Sequence, residues 1–148
     1  MEVLELHRKA MDLADRADWM KSQSRDEEAE VLYRKSLEAE QDAANSARQQ
    51  HVGEPTESVL FRSAASLAYV LKDYREAERL IGLGLAGNPP AEIADELRTL
   101  YDAVSMERKI GQTTSLPNQK ENVTITIPVH ERGLLDVLIK KFGWACAF

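Results

Sequence analysis

Three histidines (His7, His51 and His130), a single cysteine (Cys146) and an acidic run, Asp26-Glu27-Glu28 with Glu30, are the residues of this 148-residue chain whose types could do chemistry. Their spacing argues against it. The histidines fall on different segments, and only His130 has a carboxylate beside it, Glu131, in an i,i+1 step that points the side chains apart on a helix. A zinc site wants an HExxH pair or closely spaced Cys and His, and neither occurs. Cys146 alternates with Trp144 and Phe148, the place of a small buried residue rather than a nucleophile. The acidic run opens a helix, where the macrodipole favours negative charge without a cation. Gly82, Gly84 and Gly87 close a helical stretch rather than follow a strand, so they lack the setting of a phosphate cradle. The expectation is a non-enzymatic protein with no cofactor and no metal.

Charge and composition narrow the remaining classes. Apolar residues make up 43% and charged residues 30%, with seven glycines and five prolines, the balance of a folded, helix-rich chain. The length suits one ordinary domain with a small appendage. No run of about 18 apolar residues occurs, and Met1-Glu2-Val3-Leu4-Glu5 has neither a basic nor an apolar leader, so the expected setting is cytoplasmic and away from membranes. One cysteine closes no disulfide within the chain. The net charge of −6 is uneven: residues 1–108 hold 14 basic against 22 acidic side chains, and residues 109–148 five against three. An acidic body repels phosphate backbones, and Lys140-Lys141 is the tail's only basic pair, so nucleic acid is not the expected partner.

Positioning any interaction surface falls to the helices. Leu4, His7, Met11, Ala14 and Ala17 alternate steps of three and four, which predicts a first helix over 3–22. Ser24 and Glu27 have the spacing of a capping box, so a second helix is expected to begin there and run to about Gln50, with Ala29, Leu32, Tyr33, Ser36, Leu37, Ala43, Ala44 and Ala47 on one face. A third is expected over Thr56 to Leu71. Asp73 and Glu76 repeat the capping spacing for a fourth, with Ala77, Leu80, Ile81 and Leu85 as its stripe. After Pro89-Pro90, a fifth is expected from Ala91 to Arg108, with Ile93, Leu97, Leu100, Tyr101 and Val104 on one side. Residues 1–110 thus form a helical domain and the polar stretch 111–122 a linker. In 123–148, Val123-Thr124-Ile125-Thr126-Ile127 alternates as a strand, Leu134 to Phe142 forms a short helix, and Trp144 to Phe148 a second strand.

The segment Glu28-Ala29-Glu30-Val31-Leu32-Tyr33 is echoed by Glu76-Ala77-Glu78-Arg79-Leu80-Ile81 at an offset of 48 residues. With Phe61, Ala64, Ala65 and Ala68 before it and Asp73-Tyr74, Gly84 and Pro89 around it, the second copy resembles a tetratricopeptide (TPR) repeat over 58–91. The first copy matches at Ala17, Ala29, Tyr33 and Ser36, departs at Arg16, and has no proline ending its second helix. The resemblance implies antiparallel helical hairpins of α-solenoid type with a capping helix, spanning roughly residues 10–108. It further implies a concave face lined by the first helix of each hairpin, where Arg62, Ser66 and Tyr69, and in the first hairpin Asp18 and Lys21 beside Trp19, would meet a peptide or protein. Arg62 pairing with a nearby glutamate, Tyr69 in the core and a packed Trp19 are the plainer alternatives.

The tail segment from Thr124 to Trp144 resembles the strand–helix segments of small antitoxin-type proteins. A two-stranded element with open edges wants a partner strand. Val123, Ile125, Ile127, Trp144 and Phe148 are therefore the expected tail contacts, in a homodimer or with another protein. The resulting expectation is a protein–protein interaction module, a scaffold or adaptor. The other reading is an antitoxin-type regulator whose tail meets a toxin or nucleic acid.

Overall fold

A computed structural model describes residues 2–114, which form five α-helices: α1 (Val3–Ser22), α2 (Asp26–Gln49), α3 (Thr56–Val70), α4 (Tyr74–Ala86) and α5 (Ala91–Thr114). Each helix packs on the next, and α3 also meets α5. The expected strand–helix–strand tail, with Val123, Ile125, Ile127, Trp144 and Phe148, lies outside the described residues. So does all of the expected linker beyond Thr114, whereas its first residues, 111–114, continue α5. A Cβ added at Gly111 would meet nothing within 4 Å, and one glycine in a helix costs only about 1 kcal/mol, too little to stop a helix already propagating.

Alanine at the contacts sets how closely the helices approach. Ala10, Ala14 and Ala17 of α1 meet α2, whose inward face holds Ala29, Tyr33, Ser36, Leu37, Ala43, Ala44 and Ala47. The α1 stripe is rotated from the one expected: Leu6 and Ala10 go inward, and Leu4 is 45% exposed. Tyr101, expected on the inner side of α5, is likewise 47% exposed. The larger side chains gather around α3, where Leu60, Phe61 and Leu67 join Leu80 and Ile81 of α4 and Leu97 and Val104 of α5 in the core. Gly84 makes room for this: a Cβ there would lie 3.0 Å from Leu97 Cδ1 and 3.2 Å from Phe61 Cβ. Across the Phe61 ring lies the Arg48 guanidinium, 4.4 Å from its centroid, which also reaches Glu57 at 3.5 Å. Glu54 completes this corner by accepting from Ser58 Oγ at 2.6 Å and from the Asn88 amide at 3.3 Å.

Three of the helices stop in the same way. After α1 the amide of Ser24 donates to the Lys21 carbonyl and that of Arg25 to Met20; after α2, His51 donates to Arg48 and Val52 to Ala47; after α3, Lys72 donates to Tyr69 and Asp73 to Ala68. These are Schellman pairs, and they need a left-handed residue between helix and exit. Glycine is the usual choice, yet here it is Ser24 (φ 59°), His51 (φ 52°) and Lys72 (φ 60°). This overturns the capping box expected at Ser24: with Ser24 spent on ending α1, Arg25 occupies the N-cap of α2 and offers no side-chain cap. The cap expected at Asp73 is present, its carboxylate accepting from the Glu76 amide at 3.3 Å.

Lys72→Gly is expected to stabilise the protein by about 0.5–1 kcal/mol, because the left-handed backbone costs an L-residue more than it costs glycine; urea unfolding measures it. The glycines of α4 should diverge in sign. Gly82→Ala, with nothing within 4 Å, gains helix propensity, whereas Gly84→Ala crowds Phe61 and Leu97 and should fall below it by about 1–3 kcal/mol in the same assay.

Candidate functional site

Two groups of polar side chains stand out from the apolar pattern, one buried between helices and one on the surface of α1. The buried group is a row that crosses four helices. His7 enters from α1, and its Nδ1 lies 3.0 Å from both carboxylate oxygens of Glu40 on α2. Glu40 is wholly buried and His7 is 5% exposed. Arg62 of α3 adds a positive charge near Glu40 and itself donates to Glu96 of α5, both side chains being buried. Burial pushes the Glu40 carboxyl above the usual glutamate range, against the opposing pull of His7, Ser63 and Arg62. The Ser63 hydroxyl, though it faces Glu40, makes no hydrogen bond of ordinary geometry. Alongside the row, Ser36 donates to the Ala10 carbonyl at 2.6 Å, a second polar tie between α1 and α2.

Arg62 was expected on an exposed concave face, and this is corrected. Because α5 packs against α3, it brings Glu96 onto the guanidinium and covers it. Ser66 is half-buried and donates to the Arg62 carbonyl at 3.0 Å, and Tyr69 is half-buried with its ring 5.8 Å from that of Tyr74. These three side chains therefore pack on their own fold rather than stand clear of it.

The α1 members of the expected face behave differently. Trp19 is 57% exposed, where a packed position was the plainer reading, and Asp18 and Lys21 beside it are also exposed. Asp18 accepts from the hydroxyl of the buried Tyr33, which fixes that end of α1 on α2 and, with burial, drives the Tyr33 phenol upward. Asp12 and Asp15 precede Trp19 at helical steps of three and four, so they lie along the same side of α1. Burial, reinforced by Asp18 and Asp12, raises the Asp15 carboxyl above the ordinary aspartate range. Trp19 thus follows Asp12 and Asp15 along one side of α1, where the exposed Arg16, three residues before it, also lies.

Among the described residues no group of three or more His, Cys, Asp or Glu is placed to hold a metal ion, and no helix is long and apolar enough to cross a membrane. An open depression at the start of α4, lined by Asp73, Arg75, Glu76, Glu78 and Arg79, is occupied by its own charges: Arg79 pairs with Glu76 at 2.5 Å, which holds that carboxyl below its ordinary range. Comparison with protein-family models found no match, and neither curated proteins nor solved structures gave one.

The sequence contained a signal for the buried row that the apolar pattern hid. Glu40 follows Ser36 by four residues and precedes Ala43 and Ala44 by three and four, in the middle of the inward stripe of α2, and His7 lies within that of α1. A carboxylate and an imidazole interrupting two facing stripes are a candidate pair. Arg62 has one acidic counterpart in α5 that falls on the Leu97 and Leu100 side, Glu96.

Removing one partner of the Arg62–Glu96 pair leaves a buried guanidinium without its counter-charge. Glu96→Ala is expected to cost about 3–5 kcal/mol, and replacing both residues with leucine and methionine to recover much of that loss. Thermal and urea unfolding of the two variants check the order.

Proposed function

We propose that this protein is a non-catalytic docking module that takes a basic, amphipathic segment of a partner protein on the outer face of α1, around Trp19. What supports the reading is the exposure of the Trp19 ring, at 57%, on the helix that also carries Asp12, Asp15 and Asp18. A tryptophan left in water exposes a large apolar ring, and it is among the residue types that carry most binding energy at interfaces. Carboxylates on the same helix attract a cationic partner and repel an acidic one. The excess of eight acidic over basic side chains in residues 1–108 extends that field over the helical body.

The TPR-like arrangement expected from the sequence bears on this reading through the order of its helices. α1, α3 and α5 are the odd members of the series, the positions that line the concave side in such repeats. In α3 that position is taken up by the Arg62–Glu96 pair, so the docking surface proposed is the α1 part, with Asp18 and Lys21 at its margin and Trp19 at its centre.

Peptide-display selection against the full chain tests the proposal. The expected winners are basic and amphipathic, bind less tightly as salt rises, and lose about 30-fold in affinity to Trp19→Ala, the effect of a hot spot of about 2 kcal/mol. That variant should unfold at the wild-type temperature, since the ring is mostly in water. Selected peptides that are neutral or acidic, or that bind Trp19→Ala unchanged, would overturn the reading.

A further inference from the structure

The buried row has a property that neither the docking face nor simple packing requires: it is tied to the protonation of one pair. Glu40 is met by His7 from α1 and by Arg62 and the Ser63 hydroxyl from α3, and Arg62 in turn by Glu96 from α5. From α4 the charged group closest along α2 is Glu76, which accepts from Gln41 at 2.5 Å and is neutralised by Arg79. Arg62 and Glu96 cancel. The state of the row is therefore set by how many protons His7 and Glu40 hold between them. One shared proton makes the pair neutral, whichever of the two carries it, and the whole row sums to zero. With none, the row carries a net negative charge, and Glu40, which has no exposure to water, faces a neutral imidazole.

We propose that the His7–Glu40 contact is a proton-dependent fastening of α1 to the rest of the helical body, closed while the pair shares one proton and weakened when rising pH removes it. The direction follows from linkage. Burial raises the Glu40 carboxyl, so in the folded protein that carboxyl keeps its proton to a higher pH than it does in the unfolded chain. Stability from this source is present at low pH and lost as the pH rises through the range in which the folded pair releases the proton. The helix released is α1, because His7 is its charged tie to Glu40, while Glu40, Arg62 and Glu96 remain together on α2, α3 and α5. This inference stands apart from the docking proposal, although α1 also carries Trp19, so that face would be held rigid below the transition and loosened above it.

The test is urea unfolding of the full chain from about pH 4.5, where a glutamate in the unfolded chain gives up its proton, to about pH 8.5. The wild-type unfolding constant is expected to rise with pH by up to about tenfold per unit, the limit for one proton. Glu40→Gln should abolish most of that slope, and Glu38→Gln, at an exposed position of the same helix, should keep it. An unchanged slope in Glu40→Gln would overturn the proposal. If Glu40→Gln does not fold, amide exchange of α1 in the wild type, corrected for its intrinsic rate, is read beside the nitrogen shifts of the His7 ring. Faster α1 opening as the pair loses its proton supports the fastening, and α1 exchange that stays flat through that loss refutes it.

Discussion

The helical body turns on a row of four buried charged or titratable side chains, one from each of α1, α2, α3 and α5. Taking such groups out of water costs several kcal/mol per ion, and their mutual attraction returns that only when geometry and pairing are good. Apolar side chains of similar volume would stabilise the contacts at least as well. What the row adds is selectivity. A hydrophobic stripe lets one helix slide or rotate on another at modest cost, whereas a buried carboxylate facing an imidazole and a guanidinium has one acceptable register. The alanine contacts between α1 and α2 are nearly featureless, so the polar ties at His7–Glu40, Ser36–Ala10 and Tyr33–Asp18 are what set their alignment.

A second constraint operates at the ends. Short connections between α1, α2, α3 and α4 are possible because each of the first three helices closes with paired amides to carbonyls of its last turn, leaving fewer of them to be satisfied elsewhere. On one flank of the core, Gly84 admits Phe61 and Leu97, and Arg48 lies over the other side of the Phe61 ring. The end of α2 and the start of α3 are thereby joined to the end of α4 through Arg48, Glu54, Glu57 and Asn88. Tight hairpins and this corner together place α5 where Glu96 can reach Arg62.

The helices were legible because apolar and small residues recur at three and four, and because Pro89-Pro90 and the Gly53 region break that period where the chain turns. Their ends were read less well for an identifiable reason. The left-handed stops fall on serine, histidine and lysine, which carry no glycine signature, so Ser24 passed for a cap and the start of α2 was credited with the wrong interaction. The α3 half of the expected interaction face failed on a tertiary fact: whether Arg62 looks outward depends on where α5 lands, and nothing local to α3 encodes that. In α1, Asp18 and Lys21 are exposed, and Asp18 also accepts from Tyr33 of α2, a contact that the sequence of α1 alone does not encode. Trp19 was misjudged because a large aromatic near a helical stripe is ordinarily core. Glu40 was passed over because a search for apolar period discards the carboxylate that interrupts it.

Ten alanines, at 10, 14, 17, 43, 44, 47, 64, 65, 68 and 77, have no accessible surface at all. Truncation, the usual way in which interior substitutions do harm, has almost nothing to remove at these sites. The injury there comes from bulk: each added methyl pushes two backbones apart instead of leaving a void. The alanine contacts are thus vulnerable in the reverse sense from the leucine-rich core around α3. At these ten positions only the smallest side chain fits, while the Phe61 neighbourhood keeps the usual sensitivity to truncation.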